Sequence, residues 1–248
     1  MGRLDRAAGV ARSLAIYHGI PLRQRRLREH YRQFVGAGDL VFDIGAHAGN
    51  RVRAFAALGC RVVALEPQPD FARVLRLLFR RRAHVTIVEQ AVGASAGRMQ
   101  LSISERTPTV TTAAPSWREA RSVDPDFEGV RWNAPVEVEA TTLDRLIDGY
   151  GVPAFVKIDV EGGELSVLSG LSRPLASLSF EYLPRALEQV RDCAARLLSL
   201  GGYRFNWSPG ESYELASTGW LSAADLLERL HSPDACRRPG DVYARLMD

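Results

Sequence analysis

The sequence predicts an α/β fold: a mixed, mostly parallel sheet with helices on both faces. Two observations lead there. Short apolar runs ending in turns, such as "LVFDIG" from Leu40 and "RVVALEP" from Arg61, read as buried strands. Between them lie longer segments with apolar residues at helical spacing, so strands alternate with helices in βαβ units with right-handed crossovers. The composition agrees, at 46% hydrophobic and 25% charged over 248 residues, enough for one large core.

Taken in order, residues 4–35 read as helical with a break at Pro21, and the polar side of the second piece is strongly basic. That face reads as solvated or, alternatively, as suited to a phosphate-rich or anionic surface. Residues 1–38 thus form an N-terminal helical segment, and the domain proper runs over 39–248. After "LVFDIG", "NRVRAFAALG" places Val52, Phe55 and Ala56 on one face and stops at Gly59. "RVVALEP" is the second strand. "PDFARVLRLLFRRR" opens with Pro69 near its start and puts Phe71, Val74, Leu75 and Leu78 on one face. "VTIVEQAVG" is the third strand and "GRMQLSIS" the fourth. Residues 105–135 break the rhythm. Their length predicts a lid or binding loop, and Trp117, Phe127 and Trp132 argue against plain disorder. "VEVEATT" alternates apolar and polar residues, which predicts a half-wet strand near an edge. "AFVKID" and "ASLSFEY" are buried strands, separated by a helix with Leu165, Leu168 and Leu171 facing in. A helix from Pro184 to Gly201, a strand at "YRFNW", a helix from about Ser222 to Leu230 and a strand at "DVYARL" complete the chain. The whole is Rossmann-like.

Composition excludes little else. The net charge of +3, from 32 basic and 29 acidic residues, does not by itself imply nucleic acid, and none is expected as a partner. Cys60, Cys193 and Cys236 have no paired spacing and read as free thiols of a reducing compartment. No apolar run approaches the roughly 18 residues of a spanning helix, the N-terminus lacks a signal-peptide core, and Arg6 stands where a myristoylation motif after Gly2 expects Ser or Thr. A soluble cytoplasmic protein is the expectation.

The informative stretch is "VFDIGAHAGN". A dinucleotide fingerprint needs a third glycine, and a helix N-terminus there would face pyrophosphate. Only Gly45 and Gly49 are present, and Asp43 would repel phosphate. A ligand with positive charge and no phosphate suits this turn better, and S-adenosylmethionine, with its ammonium and sulfonium, is one. Asp43 can hold the ammonium, and Gly45, Ala46, His47, Gly49 and Asn50 make up the turn. Two glycines there allow close backbone approach to the amino-acid moiety. Glu66, ending "ALEP" with Pro67 after it, stands where a carboxylate accepts the ribose diol. Gln90 and the backbone near Ala91 are placed to read the adenine edge. Each acid alone also reads as a helix cap or surface charge; both at this spacing, each ending an apolar strand, point to a nucleoside ligand.

These residues resemble those of the FkbM family of S-adenosylmethionine-dependent methyltransferases over roughly residues 39–205. The parts are "VFDIGAHAGN", "ALEPQPD", "EQAVG", "TTLDRLI", "FVKIDVEGGELSVLSGL" and "SFEY", of which "KIDVEGGELSVLSGL" is the most specific. The resemblance implies the class I methyltransferase sheet with a last antiparallel strand, and methyl transfer usually to oxygen on metabolites or glycans. One departure is His47, where the family more often has Asn.

Methyl transfer is an in-line displacement, so holding the nucleophile near the methyl supplies much of the catalysis. A hydroxyl acceptor, on a small metabolite, natural product or glycan, also needs its proton removed or relaxed. Asp159 ends a central strand at the carboxyl edge, where α/β sheets bind ligands, and is both the catalytic candidate and a neighbour of the cofactor. Glu181 ends the next strand beside it, and Glu161 follows two residues after Asp159. Two carboxylates at neighbouring strand ends suit a divalent cation such as magnesium; alternatively they share a proton, or Lys157 neutralises one. His47 is the rival base. His18, His30, His84 and His231 read as surface residues. A nicotinamide-dependent oxidoreductase and a non-catalytic module for anionic polymers are the alternative readings.

Overall fold

The computed structural model describes residues 9–14, 22–104, 107, 110–232 and 238–247. His18 and Cys236 lie outside them, as does most of the N-terminal stretch before Leu22; residues 9–14 are helical.

A seven-stranded sheet forms the centre. It contains β1 (Leu40–Ile44), β2 (Arg61–Leu65), β3 (Val85–Val88), β7 (Phe155–Ile158), β8 (Ser177–Tyr182), β9 (Tyr203–Pro209) and β10 (Gly240–Leu246), in the order β3-β2-β1-β7-β8-β10-β9. Only β10 runs against its neighbours, inserted between β8 and β9. This is the class I methyltransferase sheet, antiparallel strand included. β1 pairs in parallel on both sides and is buried throughout, which is why its sequence is continuously apolar rather than alternating.

The helices are α1 (Arg23–Tyr31), α2 (Asn50–Ala57), α3 (Pro69–Phe79), α4 (Pro115–Ser122), α5 (Leu143–Tyr150), α6 (Glu164–Ser169), α7 (Leu187–Leu198) and α8 (Ala223–Leu230). Local chemistry sets several starts. Pro69 takes the first turn of α3, and Thr142 and Ser222 cap α5 and α8 by accepting N–H bonds from Arg145 and Asp225. Two hydrophobic cores flank the sheet. One gathers α5, α6, α7 and α8; the other gathers α1, α2 and α3. Leu27, Tyr31 and Val35 of the N-terminal segment join the second, with the Tyr31 ring tilted against Phe55 at 4.3 Å and Phe34 5.1 Å from Phe155.

Several expectations are corrected. "VTIVEQAVG" splits after Val88, and Ala91–Val92 (β4) leaves the main sheet. It joins Gly97–Ile103 (β5) and Ala134–Thr141 (β6) in a separate three-stranded sheet ordered β4-β6-β5. "VEVEATT" is therefore the middle of a small sheet, not an edge of the large one; its alternation reflects one solvated face. On α3, Phe79 is buried and Leu78 is exposed, because Phe71, Leu75 and Phe79, four residues apart, share the inward face, the last two against Gly49. α6 stops at Ser169, so Leu171 is buried beyond its end, and α7 begins three residues after Pro184. His30 is buried, its ring 4.9 Å from Tyr243, rather than on the surface.

Candidate active site

Parallel strands end together, so their last residues converge at one edge of the sheet. Asp43 pairs in register with Lys157 across β1 and β7, Ile158 with Phe180 across β7 and β8, and Glu181 with Asp241 across β8 and β10. Residues nearly 200 positions apart in the chain thus share one cleft.

Its larger part is a cavity of about 190 Å³ lined by Glu66, Pro67, Gln90, Ala91, Asp159 and Glu161, among others. A smaller cavity of about 50 Å³, lined by Asp43, Ala46, Asn50 and Arg51, shares Gly45, His47, Asp159 and Glu161 with it. Asp43 is 1% exposed, and neither of its carboxylate oxygens has a hydrogen-bond partner. Burial pushes its pKa up to about 6, although Arg51 and Lys157 pull the other way. A buried carboxylate without partners is costly unless something positive meets it. The donor set fits the ammonium end of S-adenosylmethionine.

Glu66 is 2% exposed, and burial pushes it up to about 7. Its Oε2 accepts the His47 N–H at 2.8 Å and its Oε1 the Gln68 N–H at 2.9 Å. The Gln68 side chain bonds it as well, so Glu66 braces the glycine turn while facing the larger cavity.

The glycines serve the protein's own packing as well as a ligand. A Cβ on Gly45 would stand 1.9 Å from the Asp159 carbonyl oxygen, and one on Gly49 2.6 Å from Leu75 Cδ2. Gly49 lines neither cavity, and the space its missing side chain leaves is filled by Leu75 and Phe79 of α3. His47 has φ 46°, a left-handed conformation in which Asn and His are both over-represented. The departure from Asn thus keeps the backbone requirement. The His47 ring lies 4.1 Å from Phe71, and burial pushes its pKa down to about 4, so it is neutral and a weak base at pH 7.

Where the two cavities meet stands a charged cluster. Oxygens of Asp159, Glu161 and Glu181 lie within 4.8 Å of one another. Asp159 Oδ2 meets Arg51 Nη1 at 3.2 Å and Lys157 Nζ at 3.5 Å. Lys157, the chain's single lysine, is fully buried, donates to the Ile158 carbonyl and pairs with Asp241 Oδ1 at 2.9 Å. Its burial disfavours the charge, but Asp159 and Asp241 outweigh that and raise its pKa. Burial, and then the neighbouring acids, push Glu161 and Glu181 well above the ordinary carboxylate range.

Glu161 is held in a left-handed conformation, φ 53°, by two braces. Thr112 Oγ1 donates to its carbonyl at 2.6 Å, and Glu164 accepts the Val160 N–H at 3.2 Å while also bonding Gln189. The 105–135 insertion supplies more than Thr112. Thr111, Ala113 and Ala114 line the larger cavity, and Trp117 packs so closely on Gly162 that a Cβ there would lie 2.2 Å from Trp117 Cδ1. Sequence reasoning missed Arg51, Asp241 and Glu164. Arg51 and Asp241 carry no local signature; Glu164 sits within the "VEGGEL" motif and was legible as the acid opening a helix.

The Methyltransferase FkbM domain model matches residues 43–205, and the chain belongs to that family. Membership of a methyltransferase family counts against the oxidoreductase reading. A relative, the hexuronic acid methyltransferase AglP of Haloferax volcanii, is 27% identical over 145 residues. That match takes in 57% of this chain and 54% of the relative, so the chain spans about half the relative's length. Among solved structures, a precorrin-6y C5,15-methyltransferase from Geobacter metallireducens matches 91% of this chain and 87% of its own at 14% identity and TM-score 0.48. Fibrillarin from Aeropyrum pernix, solved with bound S-adenosyl-L-methionine, matches 85% and 68% at 10% identity and TM-score 0.45. No helix among the described residues is long and apolar enough to cross a membrane.

Proposed function

We propose that this methyltransferase acts on a hydroxyl of a small metabolite, natural product or glycan, a sugar being the acceptor best supported by the relative's name. The observation that carries the reading is the convergence of Asp159, Glu161 and Glu181 beside the cofactor turn. An amine or thiolate has less need of such a group; a hydroxyl needs its proton taken.

Asp43 holds the ammonium of S-adenosylmethionine, Glu66 the ribose diol, and Gln90 with Ala91 the adenine, while Gly45, Ala46, His47, Asn50 and Pro67 form the walls. The cofactor supplies an electrophilic methyl. Arg51 and Lys157 fix Asp159, which orients the acceptor hydroxyl with Glu181 and Glu161. A carboxyl raised by burial is the stronger base once ionised, so the pair Glu161–Glu181 suits the proton's destination. His47 acts through the shape of the turn. The three oxygens also form a hard ligand set that magnesium would suit, with Asp159, Glu161 and Glu181 as its holders. The insertion closes the acceptor side and excludes water.

Asp159→Asn and Glu181→Gln test this. Each is expected to lower turnover by about 10²–10⁴-fold while S-adenosylhomocysteine affinity stays nearly unchanged. Full activity in both variants overturns the assignment. Silencing by a chelator with rescue by magnesium selects the cation; indifference selects the carboxyl pair alone.

A further inference from the structure

We propose that the basic pocket between α1, α2 and α3 docks this protein on the phosphate headgroups of an anionic lipid surface. The pocket is separate from the cleft and shares no lining residue with it. It has a volume of about 420 Å³ and is lined by Gln24, Arg28, Arg53, Leu78, Phe79 and Arg82, with two alanines of α2 as its floor. α2 and α3 begin at the cleft and end at this pocket, so a ligand here leaves the cofactor site open.

α1, α2 and the loop after α3 each contribute a guanidinium, and no carboxylate lines the space. Among the described residues, Arg28, Arg53 and Arg82 make no ion pair, unlike Arg23, Arg25 and Arg76, which pair with Glu211, Glu29 and Glu89. Arg28 is also set in place. Its Nε donates to the Gln24 carbonyl at 3.1 Å, and Gln24 Nε2 donates to the Asn50 carbonyl at 3.0 Å, so the outer nitrogens of Arg28 remain for a ligand. Convergent guanidinium groups recognise tetrahedral oxyanions by bidentate bonds.

The choice of a lipid surface rests on the leucines. Leu78 lines the pocket at 49% exposure, and its neighbour Leu77 on the same helix is 61% exposed. Exposed leucines gain nothing from a polar nucleic-acid backbone or a free phosphate, but they enter a headgroup boundary while arginines meet the phosphates. Arg80 and Arg81 follow α3 and are exposed as well.

Flotation of the full chain with vesicles tests the proposal, using phosphatidylcholine alone and phosphatidylcholine mixed with phosphatidylglycerol. The parent should partition onto the anionic vesicles, lose them in high salt and ignore the neutral ones. Each arginine near such a surface is worth roughly a factor of five, so Arg28→Gln, Arg53→Gln and Arg82→Gln combined should weaken partition on the order of 100-fold. The corresponding lysine triple variant, which keeps the charge and loses the bidentate fork, should fall between the parent and the glutamine variant, and Leu77→Ser with Leu78→Ser should lower partition about tenfold. S-adenosylhomocysteine affinity, measured on each variant, should not change, which shows that the fold is intact. A parent that binds neither vesicle, a glutamine variant that binds as well as the parent, or retention on RNA or by inorganic phosphate without vesicle binding overturns the proposal.

Discussion

Replacing Asp43 with asparagine is expected to stabilise the ligand-free protein above pH 6 while weakening its hold on the cofactor. The reason is the buried carboxylate without a partner. Its pKa stands at about 6 rather than 3.8, even with Arg51 and Lys157 attracting the charge. The proton binds more tightly in the folded protein than in the unfolded chain. That contribution to stability is complete below pH 3.8 and is lost as pH rises through about 6. At about 1.4 kcal/mol per pH unit, the charged form costs roughly 3 kcal/mol in the folded state. Asparagine removes this cost without removing the shape. Urea unfolding at pH 8 should therefore show Asp43→Asn more stable by up to about 3 kcal/mol, and the advantage should vanish near pH 4. The ligand sees the reverse. A hydrogen bond to a charged group contributes about 1.5–3 kcal/mol, so S-adenosylhomocysteine should bind about 10–150-fold more weakly by calorimetry. In the parent, affinity should fall as pH drops below about 6. A variant that is less stable than the parent at pH 8, or that binds equally well, refutes the reasoning.

Glu66→Gln should weaken S-adenosylhomocysteine binding about tenfold or more, and Glu66→Ala further, because alanine also frees the His47 and Gln68 N–H groups that the carboxylate accepts; calorimetry with both separates ribose contact from turn support. Gly162→Ala should cost at least about 2 kcal/mol in urea unfolding, since φ is 93° and the added Cβ meets Trp117 at 2.2 Å. Hydrogen exchange over residues 110–117 and 160–163 should slow when cofactor and acceptor are both present, and unchanged exchange would leave the insertion a structural covering.

The half of the site built on Asp43 and Glu66 is legible in the sequence because its chemistry is local. Asp43 and Glu66 each terminate an apolar run, so strand periodicity alone places both at the same edge of the sheet. The half built on Asp159 and Glu181 is only partly legible. Asp159 and Glu181 follow from the same rule, but their partners do not: Arg51 reads as one arginine among many in a helix, and Asp241 lies 190 residues from it. The glycine turn is legible as a turn and misleading in part, because the demand for Gly49 comes from Leu75 and Phe79 on another helix.

The amino-acid sequence by itself determined the alternation of strands and helices, the family, and the acids that end the strands, because each depends on periodicity or on residues adjacent in the chain. Only the tertiary structure decided which strands leave the main sheet, how the single lysine survives burial between Asp159 and Asp241, and that the insertion lies across the Glu161 loop. Those outcomes depend on contacts between distant segments, whose energies arise only once the chain has closed on itself and removed water from between them.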